Sequence, residues 1–197
     1  MRISKLAAVA VFAVTLSACT VGGEKGTPTP TPPSTGSSDG SDSSSKLPKR
    51  PASLKLDSVD TCKLLTADQM KQLDTLASKP EQLDLVDGQK SPACHYSNAG
   101  RFTYAVGAVT HKGASYWLEG SGTVSGSVIK VADYGAVKVE FVGGSGIDCS
   151  IAIDVAEGQQ LMVSYIPATT GEKDQTVLCG KAEKAAGLAL STLKTLK

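Results

Sequence analysis

The chain has 197 residues, with 20 Lys and Arg against 19 Asp and Glu, and a formal net charge of +1. Residues 1–18 hold Arg2 and Lys5 and no acid, so the remainder is close to neutral and lacks the basic excess of a nucleic-acid-binding surface. The part beyond residue 50 is long enough for one hydrophobic core, and no apolar run reaches the roughly 20 residues a helix needs to span a bilayer.

Arg2 and Lys5 precede an apolar stretch from Leu6 to Leu16, which ends in Leu16-Ser17-Ala18-Cys19. A charged start, a short apolar core and small residues before a cleavage point read as a secretory signal over residues 1–18. Leu16-Ser17-Ala18-Cys19 also resembles the lipobox of bacterial lipoproteins. That resemblance implies cleavage before Cys19, lipid attached to its thiol, and anchorage in a membrane by the acyl chains. Each buried methylene contributes about 0.8 kcal/mol, and two chains hold where one is marginal.

Residues 19–50 read as a lipidated cysteine and a disordered tether. Thr27-Pro28-Thr29-Pro30-Thr31-Pro32-Pro33 is followed by a Ser, Gly, Thr and Asp stretch to Ser45, which has no apolar face to offset the entropy of ordering. The Pro-rich half is expected to be extended and the Ser/Gly half flexible. Lys46, Lys49 and Arg50 read as a solvated basic boundary before the domain.

Residues 51–197 read as a single extracytoplasmic domain. Thr66-Ala67-Asp68-Gln69 has the pattern of a capping box. Met70, Leu73 and Leu76 or Ala77 then predict a helix that ends near Ser78, ahead of Pro80. Gly88 to Pro92 reads as a turn. Strand patterns follow at Phe102–Ala108, Tyr116–Leu118, Val128–Val131, Ala136–Phe141, Cys149–Val155 and Leu161–Tyr165, with turns at Gly143-Gly144-Ser145-Gly146 and Glu157-Gly158-Gln159. A last helix is capped by Asp174 or Thr176 and carries Cys179, Ala182, Ala185 or Ala186, Ala189, Leu193 and Leu196 on its apolar side. The expected fold class is α+β, an antiparallel meander of five or six strands packed against N-terminal and C-terminal helices.

Four cysteines lie in the domain: Cys62, Cys94, Cys149 and Cys179. An even number in an exported domain implies disulfides, and four thiols allow three connectivities. The local pairing, Cys62 with Cys94 and Cys149 with Cys179, is preferred. No Cys-x-x-Cys pair or zinc spacing occurs, and no metal or other cofactor is expected. His95 and His111 lack a Gly-x-Ser-x-Gly elbow beside Ser97 or Ser115, so no catalytic residue is assigned. Asp148 and Asp154, six residues apart on an extended strand, lie about 20 Å apart, too far for a paired-carboxylate mechanism. With Glu157 they read as solvated.

Six aromatics fall between Tyr96 and Tyr134. Of these, Tyr104, Tyr116, Trp117 and Tyr134 are the candidate ligand-binding residues, with core packing as the competing role.

Val59-Asp60-Thr61-Cys62 with Leu64-Leu65-Thr66, Cys94-His95-Tyr96, the run from Cys149 to Gln159, and Cys179 followed by Lys181 to Ala186 resemble a family of actinobacterial lipoproteins with a C-terminal domain of unknown function. The resemblance implies an envelope lipoprotein on the outer leaflet of the plasma membrane and supports the four-cysteine framework. It supplies no catalytic residue. The expected function is a non-enzymatic binding or interaction module for a lipid, glycan or protein partner in the cell envelope. A structural, assembly-supporting lipoprotein is the alternative, and a hydrolase with an unrecognised site comes after it.

Overall fold

A computed structural model describes residues 47–120, 122–143 and 147–196. The expected signal segment, Cys19, residues 20–46 of the expected 19–50 tether, and Gly144, Ser145 and Gly146 of the glycine run lie outside the described residues. No helix among the described residues is long and apolar enough to cross a membrane.

The domain is α+β, a seven-stranded antiparallel sheet with a short helix and a long C-terminal helix. The strands are β1 (Ala77–Val86), β2 (Gln89–Asn98), β3 (Phe102–Val109), β4 (Val124–Val131), β5 (Tyr134–Phe141), β6 (Cys149–Ala156) and β7 (Gln159–Pro167). The helices are α1 (Ala67–Gln72) and α2 (Gln175–Thr195), and Thr61–Lys63 and Ala114–Leu118 form 3-10 turns. Spatial order is β1-β2-β3-β7-β6-β5-β4. The expected single meander is therefore corrected to two, β1–β3 and β4–β7, joined where β3 pairs with β7 in the register Val106 to Val163. Side-chain burial accounts for the order. β6 is buried throughout and β7 through Tyr165, so both belong in the middle, whereas β1 and β4 are largely exposed and suit the edges.

The expected N-terminal helix is reduced to six residues. Thr66 and Gln69 do form the reciprocal capping box, but Leu73 ends the helix and Asp74 takes φ 55°. Leu76 is 74% exposed rather than on a core stripe. The chain then enters β1 with Pro80 inside an edge strand, where a missing N–H is tolerated. The turn is Asp87-Gly88 alone, φ 56° and 70°, the positive pair that a two-residue type I′ hairpin requires, so Gln89 to Pro92 already belong to β2.

One face of the sheet carries Tyr96, Val106, Ile151, Ile153, Leu161 and Val163 and is covered by α2. Asp174 caps α2, accepting from the Thr176 and Val177 N–H groups. Ala182, Ala185, Ala186 and Ala189 let it lie close to the sheet, and Leu190 and Leu193 complete the contact. The other face carries Val137, Val139, Ala152, Val109 and Met162 in two smaller clusters. These are covered by the Ala114–Leu118 turn, which was expected as a strand, and by Leu47.

The covalent links are Cys62–Cys94 and Cys149–Cys179, with Cα separations of 5.1 and 5.0 Å. The first fastens the Thr61–Lys63 turn to β2 and the second fastens β6 to α2.

Candidate functional site

The four aromatics singled out from sequence do not meet. Tyr104 is buried on the α2-covered face. Tyr134 shares that face and donates its hydroxyl to the Ala52 carbonyl at 3.1 Å, so it is a core residue. Tyr116 and Trp117 stack edge to face at 5.1 Å on the opposite side of the sheet. The Trp117 indole donates to Gln160 Oε1 at 2.8 Å, and the buried Gln160 amide in turn donates to the Lys112 and Gly113 carbonyls. The Tyr116 hydroxyl is bonded to Asp87, which is ion-paired with Lys112 at 2.8 Å. The hollow beside this pair holds only about 50 Å³.

Tyr104 instead belongs to a cluster with Phe102 and Tyr165. Phe102 to Tyr104 and Phe102 to Tyr165 are both 5.6 Å between ring centroids, and Tyr104 to Tyr165 is 5.0 Å. The β3–β7 register sets Tyr104 opposite Tyr165, and Phe102 lies two residues away on the same face. Tyr104 and Tyr165 are buried, while Phe102 remains half-buried at the sheet end. Burial pushes the Tyr104 phenol up to about 12, with Tyr165 and Asp74 adding to the shift.

Cations sit over these rings. Lys181 Nζ lies 4.7 Å from the Tyr165 centroid and donates to its hydroxyl at 3.0 Å. The Arg101 guanidinium lies 5.8 Å from the Phe102 centroid and pairs with Asp74 at 2.7 Å. Lys184, three residues along α2 from Lys181, donates to the Gln72 carbonyl. Arg101, Phe102, Tyr165 and Lys181 line two open depressions of about 280 and 270 Å³, the first extending toward Gly171 and the second toward Lys184. The result is a shallow groove with an aromatic floor and cationic walls, between the β2–β3 turn and the first half of α2. It can receive a ligand at its surface without enclosing one.

Sequence reasoning found Tyr104 here, counted Phe102 among the six neighbouring aromatics without choosing it as a ligand-binding candidate, and named Tyr165 only as a strand residue. It missed Arg101, Lys181 and Lys184 as part of a site. The Lys181-x-x-Lys184 spacing, which puts two cations on one helix face, was the available signal.

The remaining candidates lie elsewhere. His111 Nε2 is 3.2 Å from the Val86 carbonyl oxygen, and His95 sits opposite Lys79 on β2. Of the three acids expected to be solvated, Glu157 is exposed, Asp148 is half-buried and Asp154 is buried. Arg50 holds both Asp154 oxygens and Glu157, each contact at 2.7 Å, so the expected solvated boundary at Arg50 is also corrected. Among the described residues no group of three or more His, Cys, Asp or Glu is placed to hold a metal ion.

Residues 14–192 match the family described as protein of unknown function, DUF3558. No curated protein and no solved structure matches the chain.

Proposed function

The chain belongs to the DUF3558 family of proteins of unknown function, and on that footing we propose that it is a lipid-anchored cell-envelope protein of an actinobacterium whose domain is a non-enzymatic binding module. The anchor reading rests on the signal-like segment, the lipobox-like Leu16-Ser17-Ala18-Cys19 and the Pro/Thr/Ser/Gly tether. Those features support a position outside the plasma membrane, on its outer leaflet. Two disulfides suit such an oxidising setting.

The observation that carries the binding reading is the groove beside Phe102. Three aromatic rings within 5.6 Å of one another would make an ordinary core cluster if they were covered. Here Phe102 stays half-exposed, and three cations rim the opening instead of an apolar lid. Aromatic surface beside a few placed polar or charged groups is a common composition of recognition sites.

The test takes the acylated protein from an actinobacterial host. Native mass spectrometry and crosslinking from a photoreactive residue at position 184 are expected to find a bound molecule or a neighbour. Phe102→Leu is expected to weaken that association. A bare mass together with no specific crosslink would refute the binding role. Cys19→Ala is expected to release the protein from the membrane or leave the precursor uncut, and retention with normal cleavage would refute the anchor.

A further inference from the structure

We infer that the groove beside Phe102 is an oxyanion site that takes the phosphate group of an anionic ligand. This rests on the groove being the binding surface proposed above. Lys181 is its centre. Among the described residues it forms no ion pair with a carboxylate; its ammonium is held by the Tyr165 ring at 4.7 Å and the Tyr165 hydroxyl at 3.0 Å. A ring face and a single hydroxyl fix the position of an ammonium while leaving N–H donors for a ligand, and the nearby Glu172 carboxylate acts on Lys181 only at longer range.

Arg101 stands over the neighbouring ring, and the two ring centroids are 5.6 Å apart, so both cations flank the same depression. The Arg101 partner is Asp74, and these side chains are 64% and 63% exposed. An ion pair so open to water holds its arginine weakly. A guanidinium has five donors in a planar fork, and the single contact to Asp74 leaves the fork able to meet two oxygens of one anion. Lys184 adds a third cation to the second depression. The facing acids are Asp74 and Glu172. A Glu172 carboxylate oxygen is engaged by the Lys173 and Asp174 N–H groups at 2.8 and 2.9 Å, which draws its charge toward the main chain. Three cations against one exposed and one main-chain-bound carboxylate favour a negatively charged ligand group with several acceptor oxygens. A phosphate monoester or diester beside further polar groups supplies it.

The experiment is an NMR titration of the unacylated chain from residue 20 onward, with both disulfides intact. Inorganic phosphate is added against sodium chloride of equal ionic strength, followed by glycerol phosphate and then by phosphatidylcholine vesicles with and without phosphatidylglycerol. Saturable shifts are expected at the amides of Arg101, Phe102 and Lys181. Lys181→Gln and Arg101→Gln should each weaken phosphate binding about tenfold, the loss typical of a hydrogen bond to a charged group. Lys130→Gln, which removes an exposed cation on β4, should leave it unchanged.

Response at these residues to phosphatidylglycerol vesicles but not to glycerol phosphate assigns the phosphate to a lipid headgroup, and the converse assigns it to a soluble or polymeric ester. Absence of any phosphate-specific shift, or equal effects of Lys181→Gln and Lys130→Gln, overturns the inference. If the crosslink or bound mass depends on Phe102 but survives Lys181→Gln and Arg101→Gln, the groove remains a binding surface and the oxyanion assignment falls. If none of the three substitutions affects it, both readings fall.

Discussion

Asp154 is 6% exposed, and Arg50 reaches both of its oxygens from a segment 104 residues earlier in the chain. Burial pushes the carboxyl above its usual range, and Arg50 pulls it back only in part. A carboxyl raised by folding stabilises the fold at acid pH, and that contribution is lost as pH rises through the folded value. Removing Arg50 leaves the burial penalty uncompensated and enlarges the loss on the neutral side. Arg50→Ala is therefore expected to destabilise by about 2 kcal/mol at pH 7, below the 3–5 of a fully buried pair because Arg50 is partly solvated. Little should be lost at pH 3.5, and urea midpoints at the two pH values decide it. Equal losses would assign the effect to packing of the arginine stem.

Tyr96 gives a second prediction with the pH axis extended to the alkaline side. Its hydroxyl donates to the Thr61 carbonyl at 2.8 Å and accepts from the Leu65 N–H at 3.2 Å. Burial is the main cause that pushes this phenol up to about 12, against about 10 in an unfolded chain. Stability from the neutral phenol is whole below pH 10 and lost as pH rises through 12, about 2–3 kcal/mol in all. Tyr96→Phe should flatten part of that alkaline slope, as measured by chemical unfolding between pH 9 and 12.

The Ala114–Leu118 turn depends on a neighbour without a side chain. A Cβ at Gly126 of β4 would stand 2.3 Å from the Trp117 carbonyl oxygen, a rigid main-chain atom. Gly126→Ala must therefore push the turn off the sheet, at a cost of about 1–3 kcal/mol. Trp117 is the one tryptophan, so a red shift of its emission together with a lower urea midpoint is the expected outcome. Unchanged emission would mean that β4 moves instead. What could be read at this scale was what is written locally: the Thr66 capping box, the Asp174 cap, the Glu157-Gly158 turn and the alternation of β6 and β7. β1 escaped because Lys79, Pro80, Glu81 and Gln82 carry no apolar alternation when the strand is an exposed edge. The turn at Tyr116-Trp117 escaped because its support, Gln160, is 43 residues away. The groove was the least legible for the same reason: Phe102, Tyr165 and Lys181 become neighbours only through the β3–β7 pairing and the return of α2 across it. Aromatic residues near each other in sequence, Tyr104 and Tyr116, were instead sent to opposite faces.

Across the whole domain, the two disulfides divide the work of holding a cover onto one face of the sheet. Cys62–Cys94 fixes the segment before α1 against β2, and Cys149–Cys179 fixes α2 against β6, so each joins a helical cover to a different half of the strand order. Their sequence separations are 32 and 30 residues, which on loop entropy corresponds to about 3–4 kcal/mol each. The covers differ in what remains when the link is cut. α2 keeps a long buried seam from Leu178 to Leu193. α1 has no buried residue, and its region is held by Leu64, Leu65, Leu73 and the Tyr96 hydrogen bonds. Replacing Cys149 and Cys179 by Ala should thus lower the melting temperature by about 10 °C with helix content preserved. Replacing Cys62 and Cys94 should lower it comparably and also expose amides of residues 61–75 to hydrogen exchange ahead of global unfolding. Losing both links removes about 7 kcal/mol from a typical total of 5–15, enough to leave the reduced domain marginal or unfolded at room temperature. A fully reduced protein with its near-ultraviolet circular dichroism intact would show that the apolar faces suffice, and that the bridges serve resistance to unfolding rather than folding itself.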